Sequence, residues 1–281
     1  MRTLLPCLLT GCAAGPAVVT ALDVGDGAVA VAEDGRTGTL GVADGVRMSG
    51  DWSDIQVVNS TACALEAGGR PDCWQVGSDT LLSSVPAGPF DTFSVADGRA
   101  VFVFADGSLM HWPQVEHELP TQGPWVSVAA VGAYETVHPG LCGVDDAGAL
   151  WCGEATEAAP GGPWNQVSRS GALVCALDSA GAITCFTVAG GAWAEAGALE
   201  GPFVSLDTGA AGGVCGRGSD GALQCEGLGD GAADWAALVP TGSGYDAIAL
   251  SSDATWGCAI RGGEPVCFGK AGAVPDGGWS W

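Results

Sequence analysis

The sequence is short of basic residues. It contains 9 lysines and arginines against 32 aspartates and glutamates, which gives a formal net charge of −23. A field of this sign repels phosphate backbones, so the charge argues against nucleic acid as a partner. Most acids stand singly in short stretches such as GDG, EDG and ADG, which is typical of a solubilising surface. A cationic partner is the alternative interpretation of the same charge.

Long hydrophobic runs are also lacking. The apolar stretch in MRTLLPCLLTGCAAG is far shorter than the ~20 residues that a helix needs to cross a bilayer, so no permanent transmembrane helix is predicted. The tetrapeptide Leu9-Thr10-Gly11-Cys12 resembles the end of a bacterial lipoprotein signal. We therefore expect residues 1–11 to be a signal peptide and residues 12–16 a short segment that carries a lipid on Cys12. The protein would be exported and lipid-anchored to the bacterial cell envelope, at the outer membrane or cell surface. An ordinary N-terminal strand with an incidental cysteine is the alternative.

Catalytic motifs are absent as well. The sequence has no G-x-S-x-G, no H-E-x-x-H and no phosphate-binding G-x-x-x-x-G-K-[ST], and it holds only 3 histidines. His111 and His117 stand close to two glutamates, a composition that could bind a metal, but the spacing offers no fixed geometry and favours a solvated loop. The sequence therefore predicts no catalytic residue, no metal and no cofactor. An enzyme or carbohydrate-binding protein with its site in the loops or central channel is the alternative.

Cysteine, by contrast, is plentiful, with 12 in the chain. Apart from Cys7 and Cys12 they stand in pairs separated by ten residues, or by nine in the last pair: Cys63 with Cys73, Cys142 with Cys152, Cys175 with Cys185, Cys215 with Cys225, and Cys258 with Cys267. Zinc ligands usually have only two to four residues between them, so this spacing argues against a metal site. A β-hairpin explains it, because CALDSAGAITC has a three-residue loop and CAIRGGEPVC a two-residue loop that places its cysteines opposite each other again. We predict five disulfides, each within one hairpin; five pairs of free thiols in a cytosolic protein are the alternative.

The hairpin pattern recurs through the chain. Two further copies lack cysteine and put Val101 opposite His111, and Val29 opposite Thr39. Seven turn glycines then lie between residues 35 and 263 at a period of about 38 residues, and most hairpins follow a GPF or GPW signature. Because a partial unit stands at each end, circular closure is favoured over a linear solenoid. The prediction is an all-β fold: one seven-bladed β-propeller over residues 17–281, stapled by disulfides within its hairpins.

The repeats resemble those of the regulator of chromosome condensation family. CALEAGGRPDCW and CALDSAGAITCF carry the resemblance, and seven units is the blade number of that family. The charge and the expected export argue against carrying over the nuclear members' exchange-factor and chromatin roles. An exported, inhibitory member of the family implies instead that loops between first strand and hairpin bind a protein. The positions in this chain that match such loops are Asn59, Arg99, Tyr134, Glu135, His138, Arg169, Asp253 and Trp256.

These observations lead to one functional expectation. The chain is predicted to be a monomeric cell-envelope lipoprotein that uses its propeller to bind another protein, without enzymatic activity. A final expectation concerns residues 278–281, whose GWSW sequence repeats the opening of a unit. We expect this tail to pack beside the N-terminal strand, between the seventh unit and the first.

Overall fold

The computed structural model describes residues 19–24, 28–33, 37–40, 52–58, 61–66, 68–75, 88–96, 99–112, 123–131, 140–228, 234–251, 255–270 and 274. These residues form twenty-two β-strands and one short helix, and the strands make seven separate antiparallel sheets. The architecture is the predicted seven-bladed β-propeller, with one sheet for each sequence repeat.

The blades follow one another along the chain. The first three are β1 (Val19–Val24), β2 (Ala28–Ala32) and β3 (Thr37–Leu40); β4 (Trp52–Val58), β5 (Thr61–Glu66) and β6 (Pro71–Gln75); and β7 (Phe90–Ala96), β8 (Arg99–Phe104) and β9 (Leu109–Trp112). The fourth and fifth are β10 (Trp125–Val131), β11 (Gly140–Asp145) and β12 (Leu150–Cys152); and β13 (Trp164–Ser170), β14 (Leu173–Asp178), β15 (Ile183–Ala189) and β16 (Ala192–Leu199). The last two are β17 (Phe203–Gly209), β18 (Gly213–Gly218) and β19 (Leu223–Gly227), followed by α1 (Trp235–Leu238); and β20 (Tyr245–Leu250), β21 (Trp256–Arg261) and β22 (Glu264–Gly269).

All five predicted disulfides are confirmed, each between the second and third strands of one blade. The bridges join Cys63 to Cys73, Cys142 to Cys152, Cys175 to Cys185, Cys215 to Cys225 and Cys258 to Cys267. The paired cysteines have Cα atoms 3.9 to 4.1 Å apart, as expected for facing residues that do not exchange backbone hydrogen bonds. The free-thiol alternative is therefore set aside.

The register of the hairpins is the same with and without cysteine. In the two blades that lack the bridge, Val101 lies opposite His111 and Val29 opposite Thr39, as predicted. The shorter hairpin of the last blade turns on Gly262 and Gly263, both at positive φ. Its loop has one residue fewer, which keeps the two cysteines of that blade opposite each other.

Each blade buries one face against the next blade. The face that carries Cys175 and Cys185, for example, packs on Phe203 and Leu206 of the following blade. One such apolar cluster lies at every boundary between successive blades. A further cluster joins Trp256 and Ile260 of the last blade to Ala28 and Ala30 of the first. The first sheet therefore packs on the last, and the ring closes.

The repeated glycine and the repeated aromatic residue meet at the blade boundaries. In the third to seventh blades, the backbone N–H of the aromatic that opens the blade donates to the carbonyl of the turn glycine one blade earlier, at 2.8 to 3.1 Å; the pairs are Phe90 to Gly69, Trp125 to Gly107, Trp164 to Gly148, Phe203 to Gly181 and Tyr245 to Gly221. At Gly181, φ is +88° and a Cβ would stand 2.8 Å from the nitrogen of Phe203. Glycine is required there both by its backbone conformation and by this close approach.

Other expectations concern parts of the chain outside the described residues. They include the signal peptide with Cys12 and the packing of the tail 278–281. None of the helices in the described ranges has the length and hydrophobicity that a membrane crossing requires.

Candidate functional site

The two ends of the ring present different parts of the repeat. The starts of the first strands and the turns between second and third strands share one end, which we call the turn face. The loops between first and second strands share the other end, the loop face. Five of the predicted binding residues lie outside the described residues: Asn59, Tyr134, Glu135, His138 and Asp253.

The first strands of the blades enclose a central cavity of about 230 Å³. Its lining is rich in polar side chains, among them Asp23, Asp54, Ser168 and Asp207. They point inward because a β-bulge follows the first residue of every first strand. Side chains two and four residues after the opening position then face the axis of the ring.

Five polar side chains of the cavity bridge one blade to the next, as do Ser127 and Gln166 of the same strands, and we call these seven the latch residues. In chain order they are Asp23, Gln56, Ser94, Ser127, Gln166, Ser168 and Asp207. Each accepts a hydrogen bond from a backbone N–H of the first strand in a neighbouring blade, on Val57, Val95, Ala130, Val167, Leu206, Thr208 and Leu250 respectively. The two glutamines also donate through Nε2, to the carbonyls of Phe93 and Leu206. The latch residues therefore satisfy backbone groups that would otherwise be unpaired in the channel wall.

Asp207 has the densest set of these contacts. Its Oδ2 accepts from the N–H of Leu250 at 2.7 Å, and its Oδ1 accepts from the N–H of Thr208 and from Ser168 Oγ. Burial nevertheless outweighs these bonds and raises the pKa of Asp207 to about 6. Burial also raises the pKa of Asp54 to about 6, against a lowering contribution from the N–H of Ile55.

The chemistry open to the cavity follows from these contacts. Carboxyl groups with pKa values near 6 can transfer protons close to neutral pH. Both oxygens of Asp207, however, already accept hydrogen bonds that hold two blades together. Within the described ranges, His, Cys, Asp and Glu side chains form no cluster suited to a metal ion. The main role of these polar contacts in the cavity is to hold the ring together.

A second depression lies on the turn face between the fourth, fifth and sixth blades. Its volume is about 720 Å³, and its lining includes Val126, Asn165, Asp178, Phe203 and Val204. Val126 and Val204 are 50% and 48% exposed, although both are large and apolar. Each occupies the bulge of its strand, where the side chain points away from the core.

Two of the predicted binding residues have described side chains, and both are engaged within the fold. Arg169 ends near the cavity with a side chain only 9% exposed, and its guanidinium makes a two-pronged ion pair with Glu154 at 2.9 and 3.1 Å. Trp256 was expected in a loop; this was wrong, because it opens β21 and is 1% exposed in the cluster that closes the ring. Arg99 opens β8. Only Arg169 and Trp256 of the predicted set therefore have side chains that the structure describes, and the binding role of the set stays a prediction.

Sequence reasoning missed both the latch residues and the bulge valines. A signal for the first was present: WSDIQV, FDTFSV, WNQVSR and FVSLDT each place a polar residue four positions after the aromatic, directly after an apolar residue. The second could have been found by aligning the residue after each aromatic. That position holds Ser53, Asp91, Asn165 and Asp246 in other blades, but valine in the fourth and sixth.

Comparisons with known proteins agree with the geometry at the level of fold. The chain is a β-propeller, and its structural neighbours are WD40 and other propeller proteins. The CRINKLY WD40 ectodomain of the Arabidopsis thaliana receptor kinase ACR4 is 15% identical, with a TM-score of 0.63 over 90% of this chain and 97% of that one. A chain of the mitotic checkpoint complex is 13% identical, with a TM-score of 0.61 over 98% of this chain and 100% of that one. YCF48 from Cyanidioschyzon merolae is 12% identical, with a TM-score of 0.53 over 90% and 96% of the two chains.

The sequence comparisons found no family. No protein-family model matches the chain, and no curated protein matches it. At these identities the structural likeness establishes the propeller architecture alone. The resemblance to regulator of chromosome condensation repeats stays a prediction from sequence.

Proposed function

We propose that this chain is an exported cell-envelope lipoprotein whose propeller binds another protein. The observation that carries the binding half is the open depression on the turn face, with Val126 and Val204 half exposed at its border. Binding sites are usually concave and combine apolar side chains with a few polar groups, as the lining of this depression does. Propellers in general serve as interaction scaffolds, and the neighbours in the checkpoint complex and the receptor ectodomain are consistent with that use.

The export half of the proposal rests on the disulfides and the N-terminal sequence. Five structural disulfides support an oxidising compartment, since the reducing cytosol disfavours them. The Leu9-Thr10-Gly11-Cys12 sequence supports a lipid on Cys12 and an anchor in the outer membrane or cell surface. Expressed in a bacterium that processes lipoproteins, Cys12→Ser should move the protein from the membrane to the soluble fraction. Unchanged fractionation would contradict the lipid anchor.

The binding half has its own experiment. The folded protein is crosslinked in intact envelopes, purified, and compared with a sample that was reduced and unfolded before crosslinking. We expect one partner in a fixed ratio with the folded form, linked through residues of the turn face. Recovery of the same proteins with both samples, or of none, would contradict a binding function.

A second candidate, an exported enzyme or carbohydrate-binding protein, is favoured by one observation. Asp54 and Asp207 line the same cavity, and burial raises the pKa of both to about 6. A soluble sugar that protects the protein against thermal unfolding, with the protection lost in Asp54→Asn, would favour this candidate. Asp54 is the better residue to change because its described hydrogen bond is only to the N–H of Ile55.

A further inference from the structure

The bulge positions on the turn face form an ordered row. From the third blade to the seventh they hold Asp91, Val126, Asn165, Val204 and Asp246, and all five side chains are exposed. Two valines and an asparagine thus occupy the centre of the row, and a carboxylate stands at each end. In the second blade the same bulge position holds a polar residue, Ser53. The bulge itself therefore does not require valine.

Charges of both signs stand near the row, with carboxylates in the majority. Of the nearby arginines, Arg70 pairs with Glu66, Arg217 donates from Nε to Ser205 Oγ at 3.2 Å, and Arg261 lies 5.2 Å from the centre of the Tyr245 ring. The depression beneath the valines includes Asp178 and no lysine or arginine in its described lining. Asp178 uses Oδ1 to accept from the N–H groups of Ala180 and Ala182, so its second oxygen is free of these bonds. The turns on either side add the exposed side chains of Asp146 and Asp220.

We propose that this row binds a basic segment of a partner protein, with an apolar side chain seated between Val126 and Val204 and cations at Asp91 and Asp246. The inference rests on the proposed protein-binding function and specifies the chemistry of the partner. A depression of about 720 Å³ is large enough for one or two apolar side chains. A net charge of −23 favours a cationic partner over a second copy of this chain.

Synthetic peptides provide the direct test. The first has paired lysines on each side of a Leu-Ser-Leu centre, the second replaces the lysines by glutamates, and the third replaces the leucines by serines. Binding to the full chain is followed by fluorescence anisotropy at low and high salt. We expect the first peptide to bind, with an affinity that falls as salt screens the charges, and the other two to bind at least about tenfold more weakly.

Two double variants assign the contacts. Changing Val126→Ser together with Val204→Ser should weaken the first peptide about tenfold and leave the salt dependence unchanged. Changing Asp91→Asn together with Asp246→Asn should weaken it and flatten the salt dependence.

Each double variant has a matched control. Val266→Ser removes an exposed valine on β22, and Glu195→Gln with Glu200→Gln removes two exposed charges at β16 and beside it. Both controls should bind the first peptide as the unchanged protein does, and thermal melts check that every variant is folded.

Three outcomes would overturn the inference. They are equal binding of the lysine and glutamate peptides, the same loss in the control variants as in the row variants, and sedimentation that shows a dimer dissolved by the double valine variant.

The inference and the proposed function can fail separately. A crosslinked partner that is insensitive to the row variants leaves the function standing and refutes the site. Peptide binding without any partner in the envelope does the reverse.

Discussion

At the scale of single residues, the first blade contains a buried polar group that no described residue satisfies. Thr39 is 4% exposed, and its Oγ1 has no hydrogen-bond partner among the described residues. It stands where other blades have a disulfide cysteine, opposite Val29. A buried hydroxyl without a partner costs free energy, because it has lost its bonds to water.

Thr39→Val keeps the shape and removes this hydroxyl. We expect the free energy of unfolding to rise by about 1 kcal/mol, measured by urea denaturation. Thr208→Val is the matched control, since Thr208 is equally buried but its Oγ1 is 2.9 Å from Ser168 Oγ. It should lose stability. A loss in both variants would show that Thr39 does have a partner.

Asp207 predicts a pH dependence of stability. Its pKa is raised to about 6 in the folded protein, so the folded state binds the proton more tightly than the unfolded chain does. The stabilisation by that proton is complete below about pH 4 and is lost as the pH rises through 6. Melting temperatures between pH 4 and pH 7 should fall less steeply in Asp207→Asn than in the unchanged protein. Between pH 4 and pH 7 the unchanged protein should lose on the order of 1 to 3 kcal/mol more unfolding free energy than the variant does. Parallel curves of melting temperature against pH would contradict the prediction.

At the scale of elements, the turn between the second and third strands forms a backbone contact with the next blade. Gly181→Ala should be costly for two reasons, a φ of +88° and a Cβ placed 2.8 Å from the nitrogen of Phe203. Gly171→Ala separates the two, because Gly171 has a φ of +58° and no atom within 4 Å of its Cβ position. We expect Gly171→Ala to lower the free energy of unfolding by about 1 kcal/mol, through the backbone conformation alone. Gly181→Ala should lower it by clearly more. Equal losses of stability in the two variants, measured by calorimetry, would mean that the close approach of Gly181 to Phe203 does not require glycine.

The elements also show how far sequence reasoning reached. Register was predictable because cysteine spacing and loop length change together. Cys215 and Cys225 stand ten residues apart around a longer loop, Cys258 and Cys267 nine apart around a shorter one, and only a facing pair explains that compensation. Trp256 was placed wrongly because the sequence pattern is the same for an aromatic that ends a loop and for one that begins a strand and packs in the core.

The latch residues show where sequence reasoning stopped. Their polar side chains satisfy backbone groups of another repeat, about 40 residues away in most cases, as Ser168 does for Thr208. A local pattern of polar and apolar residues does not reveal such a partner. It could have indicated an inward-facing polar side chain, but not the bond that the side chain makes.

At the scale of the whole molecule, the boundaries between blades are unequal. The boundary of the fifth and sixth blades has hydrogen bonds from both Gln166 and Ser168. The last blade has Ala247 and Ala249 at the corresponding positions of β20, so these side chains cannot latch it to the first. Among the described residues, apolar packing around Trp256 joins the last blade to the first.

We expect the ring to open first between the last blade and the first. Hydrogen exchange followed by mass spectrometry should show earlier exchange in peptides of β1 and β20 than in those of β13 and β17, because Ala247 and Ala249 form no latch bond that opening would have to break. Trp256→Phe, which thins the packing of that boundary, should widen the difference without changing exchange in β13. Uniform exchange across the blades would indicate that the ring unfolds only as one unit.

The disulfides have a consequence for how the chain is made. Every bridge joins a cysteine to the next cysteine along the described chain, nine or ten residues away. A chain that enters an oxidising compartment from its N-terminus exposes these thiols two at a time, in the order in which they must pair. An oxidase that joins each new thiol to the preceding unpaired thiol of the described chain would therefore produce the native connectivity during translocation. If the chain is exported as proposed, its biogenesis would need a supply of oxidising equivalents but no reshuffling of mispaired intermediates.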